Sequence, residues 1–411
     1  VVKGPLEIVG VSNFSIKQRV ELDACTRCGE CLRQCEAYGQ RRDEAMPPAE
    51  KVQSFKGLLR GEGNPSWLKW LLRGRDFTPE QLKELSEETY RCTLCARCVP
   101  ACPVKIDLLG LWKSMRAELV NRHLHPANFD VVKEAIAEEH NVLNYPNDER
   151  ASWVDYMLEA PDDLYQRSNA EVVYYVGCMS SFSPAAQSIP EAFVQLLTKL
   201  GIDFTIMGSE EWCCGFPLIA AGMPDEADKL KRHNVHKIKE LGAKMVVFTC
   251  PSCYNTWTRE YSQRLPGVEM VHSTELLDRW IAQGKIRLRG LEKSLIYHDP
   301  CDLGRNSGVY EQPRRAIKGI PGVTLVEAKE NRENAHCCGG GGDLEITDAN
   351  LTSAVAQSAL SALQSKGAEI LITACPQCKR TFKSAQEKIH SEMKMKDIVE
   401  LFLELMEDEA L

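Results

Sequence analysis

The sequence predicts an α+β multidomain protein. It divides into an α-helical domain over residues 1–122, a connector over 123–170, and two repeated α/β domains with parallel sheets over 171–290 and 291–411. Three observations predict this. A five-cysteine pattern occurs twice in the C-terminal half: Cys178, Cys213-Cys214-Gly215 and Cys250-Pro251-Ser252-Cys253, then Cys301, Cys337-Cys338-Gly339 and Cys375-Pro376-Gln377-Cys378. The gaps are 34 and 35 residues in the first copy and 35 and 36 in the second, and corresponding cysteines lie 123 to 125 residues apart. Strand-like and helix-like runs alternate between those cysteines, the mark of a parallel sheet covered by helices. Ahead of both copies stand two dense four-cysteine runs in a stretch of helical pattern.

Composition narrows the function. A chain of 411 residues can bury two or three separate cores. A net charge of −8 argues against nucleic acid as the main partner. Eighteen cysteines in a chain of this length, with no signal peptide recognised, point to metal and away from a disulfide scaffold. The start Val1-Val2-Lys3-Gly4 lacks Met and is read as trimmed or processed. No apolar run approaches the ~18 residues of a membrane span. The expected compartment is a reducing, anoxic cytoplasm, with any membrane attachment at its cytoplasmic face and through a partner.

Taken in order, residues 1–24 read as an extended lead-in with Leu6–Val9 as a strand. Cys25-x2-Cys28-x2-Cys31-x3-Cys35 follows, and then Cys92-x2-Cys95-x2-Cys98-x3-Cys102-Pro103. This is the spacing of bacterial ferredoxins, where the fourth cysteine of each run serves the other cluster. The assignment is Cys25, Cys28, Cys31 and Cys102 for one cubane, and Cys92, Cys95, Cys98 and Cys35 for the other. Zinc sites rarely use such runs. One departure is Glu36, which follows Cys35 where a proline is usual and is expected to alter that cluster's exposure or potential. Arg27, Arg33, Arg97 and Lys105 are either solvated surface charges or offsets to the clusters' negative charge.

The 56 residues between Cys35 and Cys92 are long for a compact ferredoxin and suggest a helical type. Thr78-Pro79 is a helix start, with Thr as N-cap and Pro in the first turn. Trp67–Arg73 is expected to pack in the core in preference to a membrane or a partner. Ile106–Val120 reads as a helix, and His123 and His125 in the connector read as surface residues.

Each repeat then shows three strand runs. In the first these are Val172–Val176, Ile202–Ile206 and Lys244–Thr249, with helices at Pro190–Leu200 and Ala227–Leu241 closed by Gly201 and Gly242. In the second they are Leu295–His298, Val323–Val326 and Glu369–Thr373, with a helix over Ala349–Ser365. All three cysteine groups of each repeat follow strands, where parallel sheets bind ligands. Five thiols therefore converge on one spot per repeat. Adjacent cysteines suit a large cluster approached from one side, and Gly215 and Gly339 let the backbone pass close to it. The glycine run at 339–342 lacks the ending of a phosphate loop. A thioredoxin-type pair at Cys-Pro-x-Cys would leave three thiols idle.

These motifs resemble the cysteine-rich CCG domain of heterodisulfide reductases and related iron–sulfur oxidoreductases. Residues 25–102 look like the helical ferredoxin part joined to that domain, in the layout of a catalytic D subunit or a fusion of C and B subunits. The resemblance implies two noncubane 4Fe-4S clusters, one on Cys178, Cys213, Cys214, Cys250 and Cys253, the other on Cys301, Cys337, Cys338, Cys375 and Cys378. It implies a disulfide reductase in which electrons pass from the two cubanes to the noncubane pair, which cleaves or forms a disulfide. His298 and His336 are candidate proton donors, or donors tuning cluster potential. His272 reads as structural.

No flavin or nicotinamide fingerprint is present, so electrons must come from another subunit: a haem b membrane protein, a flavoprotein or a hydrogenase module. A hetero-oligomeric complex follows. The alternative is an electron-transfer subunit of a flavin dehydrogenase of the glycolate, lactate or glycerol-3-phosphate type, or of a sulfate-reducer membrane complex. Related subunits often carry one incomplete five-cysteine motif, and both are complete here.

Overall fold

A computed structural model describes residues 13–407 except 43, 62, 63, 73 and 158. The strand expected at Leu6–Val9 lies outside the described residues. From Ile16 to Asn121 the described residues form helices and turns without strands, among them Ile16–Ala24, Pro48–Gly61, Pro79–Tyr90 and Leu108–Asn121. Thr78 caps its helix as expected, in a reciprocal capping box with Gln81. Val52, Phe55, Leu85, Leu111, Trp112 and Met115 fill the core of this part.

Trp67 and Trp70 are not in that core. They are 68% and 82% exposed, on the short helix Ser66–Leu72. The reason is a pinch in the chain. A Cβ at Gly61 would stand 2.3 Å from the Arg75 carbonyl, and one at Gly74 would stand 2.6 Å from the Arg60 carbonyl. The backbones touch there, and the short helix between them lies against Pro48–Gly61 with Trp67 and Trp70 turned to its exposed side.

The expected connector is structured. It holds the helix Asn128–Glu139 and the 3-10 helix Asn147–Tyr156. Sequence reading missed them because the stretch is polar and broken by Pro126 and Pro146.

Each repeat is a four-stranded parallel sheet. In the first, β1 (Val172–Tyr175), β2 (Phe204–Ile206), β3 (Met245–Phe248) and β4 (Glu269–His272) lie in the order β2-β1-β3-β4. In the second, β5 (Ser294–Tyr297), β6 (Thr324–Val326), β7 (Ile370–Thr373) and β8 (Lys394–Asp397) lie in the order β6-β5-β7-β8. Val173 registers with Thr205 on one side and Val246 on the other, and Ile296 likewise with Val326 and Leu371. The fourth strands escaped the sequence reading. They are edge strands whose Glu269, Lys394 and Lys396 hide the apolar pattern of a buried strand. Helix Ser188–Lys199 of the first repeat packs on Ile398–Leu405 of the second, and Ser273–Ala282 packs on Glu311–Lys318. One core therefore runs through both sheets, from Val173 and Phe193 to Ile372 and Phe402.

Candidate functional site

Strand order reverses between β1 and β3, and again between β5 and β7. That is where an open parallel sheet leaves a crevice beyond its strand ends. Cys178 follows β1 and Cys250 follows β3; Cys301 follows β5 and Cys375 follows β7. Cys213-Cys214 and Cys337-Cys338 come in from the loops after β2 and β6. Sequence order therefore delivers each set of five thiols to one crevice. Gly177, ahead of Cys178, adopts φ +81°, and a Cβ there would stand 3.1 Å from the Cys253 sulfur.

The two crevices open into one cavity of about 370 Å³ between the repeats. Nine of the ten thiols line it, together with Ser252, Asp302, Asp343, Glu345, Gln377 and Arg380. The tenth, Cys337, faces the helical domain. Its thiol is within hydrogen-bonding reach of both Cys301 and Cys95. In the helical domain Cys25, Cys28, Cys31 and Cys102 line one small cavity, and Cys35, Cys92, Cys95 and Cys98 line another.

The thiol sets fit iron–sulfur cores on chemical grounds. No disulfide joins any of the cysteines. Burial and the neighbouring Cys25 and Cys28 push the Cys31 thiol up to about 11, and burial with Cys92 pushes Cys35 up to about 12. Burial and Cys95 likewise push Cys98 well up. Thiolates crowded this closely repel one another unless a cationic centre lies among them. In the second repeat the Cys378 and Cys338 sulfurs are only 3.1 Å apart, and hydrogen bonds from Cys337 and Cys378 pull the Cys338 thiol down to about 5.

Comparison with known proteins agrees with this geometry. The 4Fe-4S dicluster domain family matches residues 21–106, and the cysteine-rich CCG domain family matches residues 172–257 and 295–383. The D subunit of the dihydromethanophenazine:CoB–CoM heterodisulfide reductase of Methanosarcina acetivorans is 34% identical over 405 residues, covering 96% of this chain and 96% of that protein. Its namesake from Methanosarcina barkeri is 33% identical over 410 residues, covering 97% of each. The chain belongs to the family of heterodisulfide reductase D subunits. A more distant relative, an EtfAB:quinone oxidoreductase of Syntrophomonas wolfei, is 27% identical over 436 residues, covering 98% of this chain and 61% of that protein.

As a member of that family the chain is an iron–sulfur oxidoreductase, and its charged side chains show how the thiol sets are held. Arg150, from the 3-10 helix, points its Nη2 at the Cys178 sulfur at 3.6 Å and donates through Nη1 to Glu211 Oε1 at 2.9 Å. Glu211 also accepts from the Val176 and Gly177 amides at 2.8 Å each, which fixes the turn into Cys178. In the second repeat Arg305 takes the corresponding place. It donates to the carbonyls of Cys95 and Ala335 at 2.7 Å each, and its Nη2 has no partner.

Glu36 has a clear role in this family member. Its carboxylate accepts from Arg97 Nη1 at 2.7 Å and from the Cys337 amide at 2.9 Å, and it pairs with His336 Nδ1 at 2.6 Å. The residue that replaces the usual proline thus ties the second ferredoxin-type set to the second repeat.

Both histidines expected as proton donors are misplaced for that work, since neither lines the cavity between the repeats. His336 sits in the Glu36 interface. His298 is 3% exposed and lies behind Cys338 and Cys378, edge-on to Phe382, on the far side of those thiols. Burial pulls its ring down to about 4, so at neutral pH it is an uncharged imidazole and not the stronger acid imidazolium. The glycines also differ from expectation. Gly339, at φ +84°, has Thr352 O 2.5 Å from the site of a Cβ, and Gly215, at φ +88°, has the Ala227 Cβ at 3.0 Å. Protein backbone and helix crowd these positions. Gly341 and Gly342 similarly press on the Thr93 and Cys92 carbonyls.

Sequence reading missed Arg116, Arg150, Glu211, Arg305 and Asp343. Arg116 carried a signal. It lies on the apolar face of Leu108–Asn121 with Leu108, Leu111, Trp112, Met115 and Leu119, where a charge stands out. It donates to the carbonyls of Tyr90, Cys92, Ala220 and Gly342, which pins all three parts of the chain together. Arg150 lies in a 3-10 helix and Glu211 in a loop, neither with a periodic apolar pattern to mark them.

Proposed function

We propose that this chain is the catalytic subunit of a disulfide reductase, and that its substrate disulfide binds in the cavity between the repeats. The observation that carries this reading is that thiols of both repeats line one shared cavity, so the two thiol-held sites face a common space that one small molecule can approach from both sides.

In this reading Cys25, Cys28, Cys31 and Cys102 hold one cubane, and Cys35, Cys92, Cys95 and Cys98 hold the other. The two five-thiol sets, Cys178 to Cys253 and Cys301 to Cys378, each hold a noncubane 4Fe-4S cluster. Bound clusters would supply one-electron transfer at each of the four sets. The protein supplies the order of the sets. The Cys95–Cys337 approach places the second repeat next to the helical domain, so electrons reach the cavity from that side. Ser252, Gln377 and Arg380 offer polar contacts to a substrate. Closely similar relatives are named for the CoB–CoM heterodisulfide, which makes it the first substrate to try.

Partners and location follow from the same reading. No helix among the described residues is long and apolar enough to cross a membrane. The relatives are named as subunits, and a haem b membrane protein, a flavoprotein or a hydrogenase module would deliver electrons, with the chain at the cytoplasmic side. The test is iron content and electron paramagnetic resonance of anaerobically purified protein titrated with thiols under oxidising conditions. About 16 irons per chain follow from four clusters of four irons. That count with a thiol-sensitive signal is the expected result. About 8 to 12 irons with no thiol-sensitive signal would leave electron relay as the function.

A further inference from the structure

Reduction of a disulfide consumes protons as well as electrons: RSSR′ + 2 e⁻ + 2 H⁺ → RSH + R′SH. The S–S bond breaks, two S–H bonds form, and the partner donor supplies both electrons through the thiol-held sites. With His298 and His336 outside the cavity, another group must supply a proton. Apart from the cysteines, the ionisable side chains that line it are Asp302, Asp343, Glu345 and Arg380. Arg380 is a permanent cation. Glu345 is exposed and engages Arg380 through both carboxylate oxygens. Asp302 accepts from Ser252 Oγ at 2.6 Å and from Asn306 Nδ2 at 2.7 Å, so both its oxygens already serve as acceptors.

Asp343 differs. Its Oδ2 is closed off from solvent and has no hydrogen-bond partner, although the residue lines the cavity. A buried carboxylate oxygen left without a donor is costly, and a protonated carboxyl avoids that cost. The backbone holds it in place. Asp343 sits at φ +56° after Gly342 at φ +60°, and the carbonyl of Gly342 accepts from Arg116 at 2.8 Å. Aspartate tolerates this left-handed conformation better than most residues.

We propose that Asp343 is the general acid of the reaction, protonating the sulfur released on the second repeat's side of the cavity. The inference rests on the disulfide reductase reading. Burial pushes its carboxyl up to about 7, with Arg116 pulling down and Asp302 adding to the rise. The groups around it are Arg116 from Leu108–Asn121, Tyr90 at the end of Pro79–Tyr90 and Asp302 after β5, with Glu345 and Arg380 elsewhere on the cavity wall. The other released sulfur leaves as a thiolate and takes its proton from water. Asp343 as a residue is half-buried and lines the cavity, so it is recharged from cavity water by way of the carboxyl oxygen that is not closed off. The counterpart in the first repeat, at the same offset from the paired cysteines, is Ile219, so the acid serves one side only.

The test compares the intact, iron-loaded protein with Asp343→Asn, a variant of the same shape that also accepts positive φ. The probe is the CoB–CoM heterodisulfide with a reduced viologen as donor. In the native protein kcat should fall as pH rises through about 7, while in the variant kcat should drop by about tenfold or more at pH 6 and lose that limb, with KM nearly unchanged. Infrared difference spectra give a readout that needs no turnover: a protonated-carboxyl band present at pH 6 and lost at pH 8, and absent from the variant at both. A variant that keeps the native kcat and pH profile overturns the role of Asp343 and leaves the reductase reading standing. A native protein that turns over no disulfide overturns that reading and the acid with it.

Discussion

The two repeats share one fold and one cysteine pattern, and differ in what surrounds the thiols. At the first cysteine of the first repeat, buried Arg150 is balanced by buried Glu211. At the first cysteine of the second, Arg305 is held by carbonyls and has no ion-pair partner among the described residues. Equivalent offsets pair Tyr175 with His298, Trp212 with His336, and Trp257 with Phe382. Tyr175 and Trp257 pack 5.0 Å apart, as His298 and Phe382 do at 4.8 Å. Trp212 stacks between His140 and His233 at 3.7 and 3.6 Å, whereas His336 faces Glu36 of the helical domain. The first repeat is closed and charge-balanced. Both repeats pack on the helical domain, but the second is the one whose thiol set reaches a helical-domain thiol, through Cys337 and Cys95, and the one carrying Asp343. Duplication supplied two thiol cages, and the divided roles reside in the residues around them.

The largest test of this contrast is charge removal. Arg150→Ala strands Glu211 in the core and should cost about 3–5 kcal/mol. Arg305→Ala strands no carboxylate and should cost about 1–2 kcal/mol through lost hydrogen bonds to carbonyls. Urea unfolding midpoints of the two variants measure the difference. Replacing Arg150 with Met and Glu211 with Gln, which removes both charges and keeps an acceptor for the Val176 and Gly177 amides, should recover part of the first loss. Equal losses for the two single variants would break the contrast.

Next comes the contact that only the second repeat makes. Glu36→Ala removes the acceptor for Arg97 and for the Cys337 amide at once, with an expected cost of about 1.5–3 kcal/mol at that interface. Loosening it should slow reoxidation of the reduced helical-domain centres by disulfide, as stopped-flow absorbance would show. An unchanged rate would mean that electrons reach the cavity by another side.

These residues also show where the sequence was readable. Cysteine spacing was legible because each group follows its own strand, a local property, and nine of the ten thiols of the repeats line the shared cavity. The helix Ala227–Leu241 could be read to its ends from periodicity and Gly242. The residues that separate the two repeats were hidden for a physical reason. Arg150 reaches Cys178 from a 3-10 helix, Arg305 reaches Cys95 across 210 positions, and Glu36 reaches Cys337 across 301. Such contacts exist only after three parts of the chain have packed. As proton donors the histidines misled, because nearness in sequence to Cys301 and Cys337 says nothing about which side of the thiols a ring occupies; His298 does lie beside Cys338 and Cys378, where the alternative tuning role would put it.

A smaller test concerns the aromatic pair behind each thiol set. Tyr175 donates through its hydroxyl to the Trp212 carbonyl at 2.5 Å, so Tyr175→Phe should cost about 1 kcal/mol. His298 Nε2 is buried without a partner, so His298→Phe should be close to neutral or stabilising in thermal unfolding. A large loss in His298→Phe would show that the ring nitrogen is engaged at Cys338 and Cys378.

The subtlest difference lies at the last helix of each repeat, where equivalent N-caps have opposite charge chemistry. His272 caps Ser273–Ala282 and Asp397 caps Ile398–Leu405, each in a capping box with a glutamate. Burial pulls His272 down to about 3 and, with help from Glu400, pushes Asp397 up to about 8. For His272 the unfolded chain binds the extra proton between about pH 6.5 and 3, so its contribution to stability is lost as pH falls through that window. For Asp397 the folded protein holds the extra proton between about pH 4 and 8, so stability is lost as pH rises through that window. Each slope is bounded by about 1.4 kcal/mol per pH unit. His272→Asn should flatten the acid side of a plot of unfolding midpoint against pH, and Asp397→Asn the neutral-to-alkaline side. If both variants flatten the same side, the two caps share one protonation chemistry, and the difference between the repeats does not extend to their outer edges.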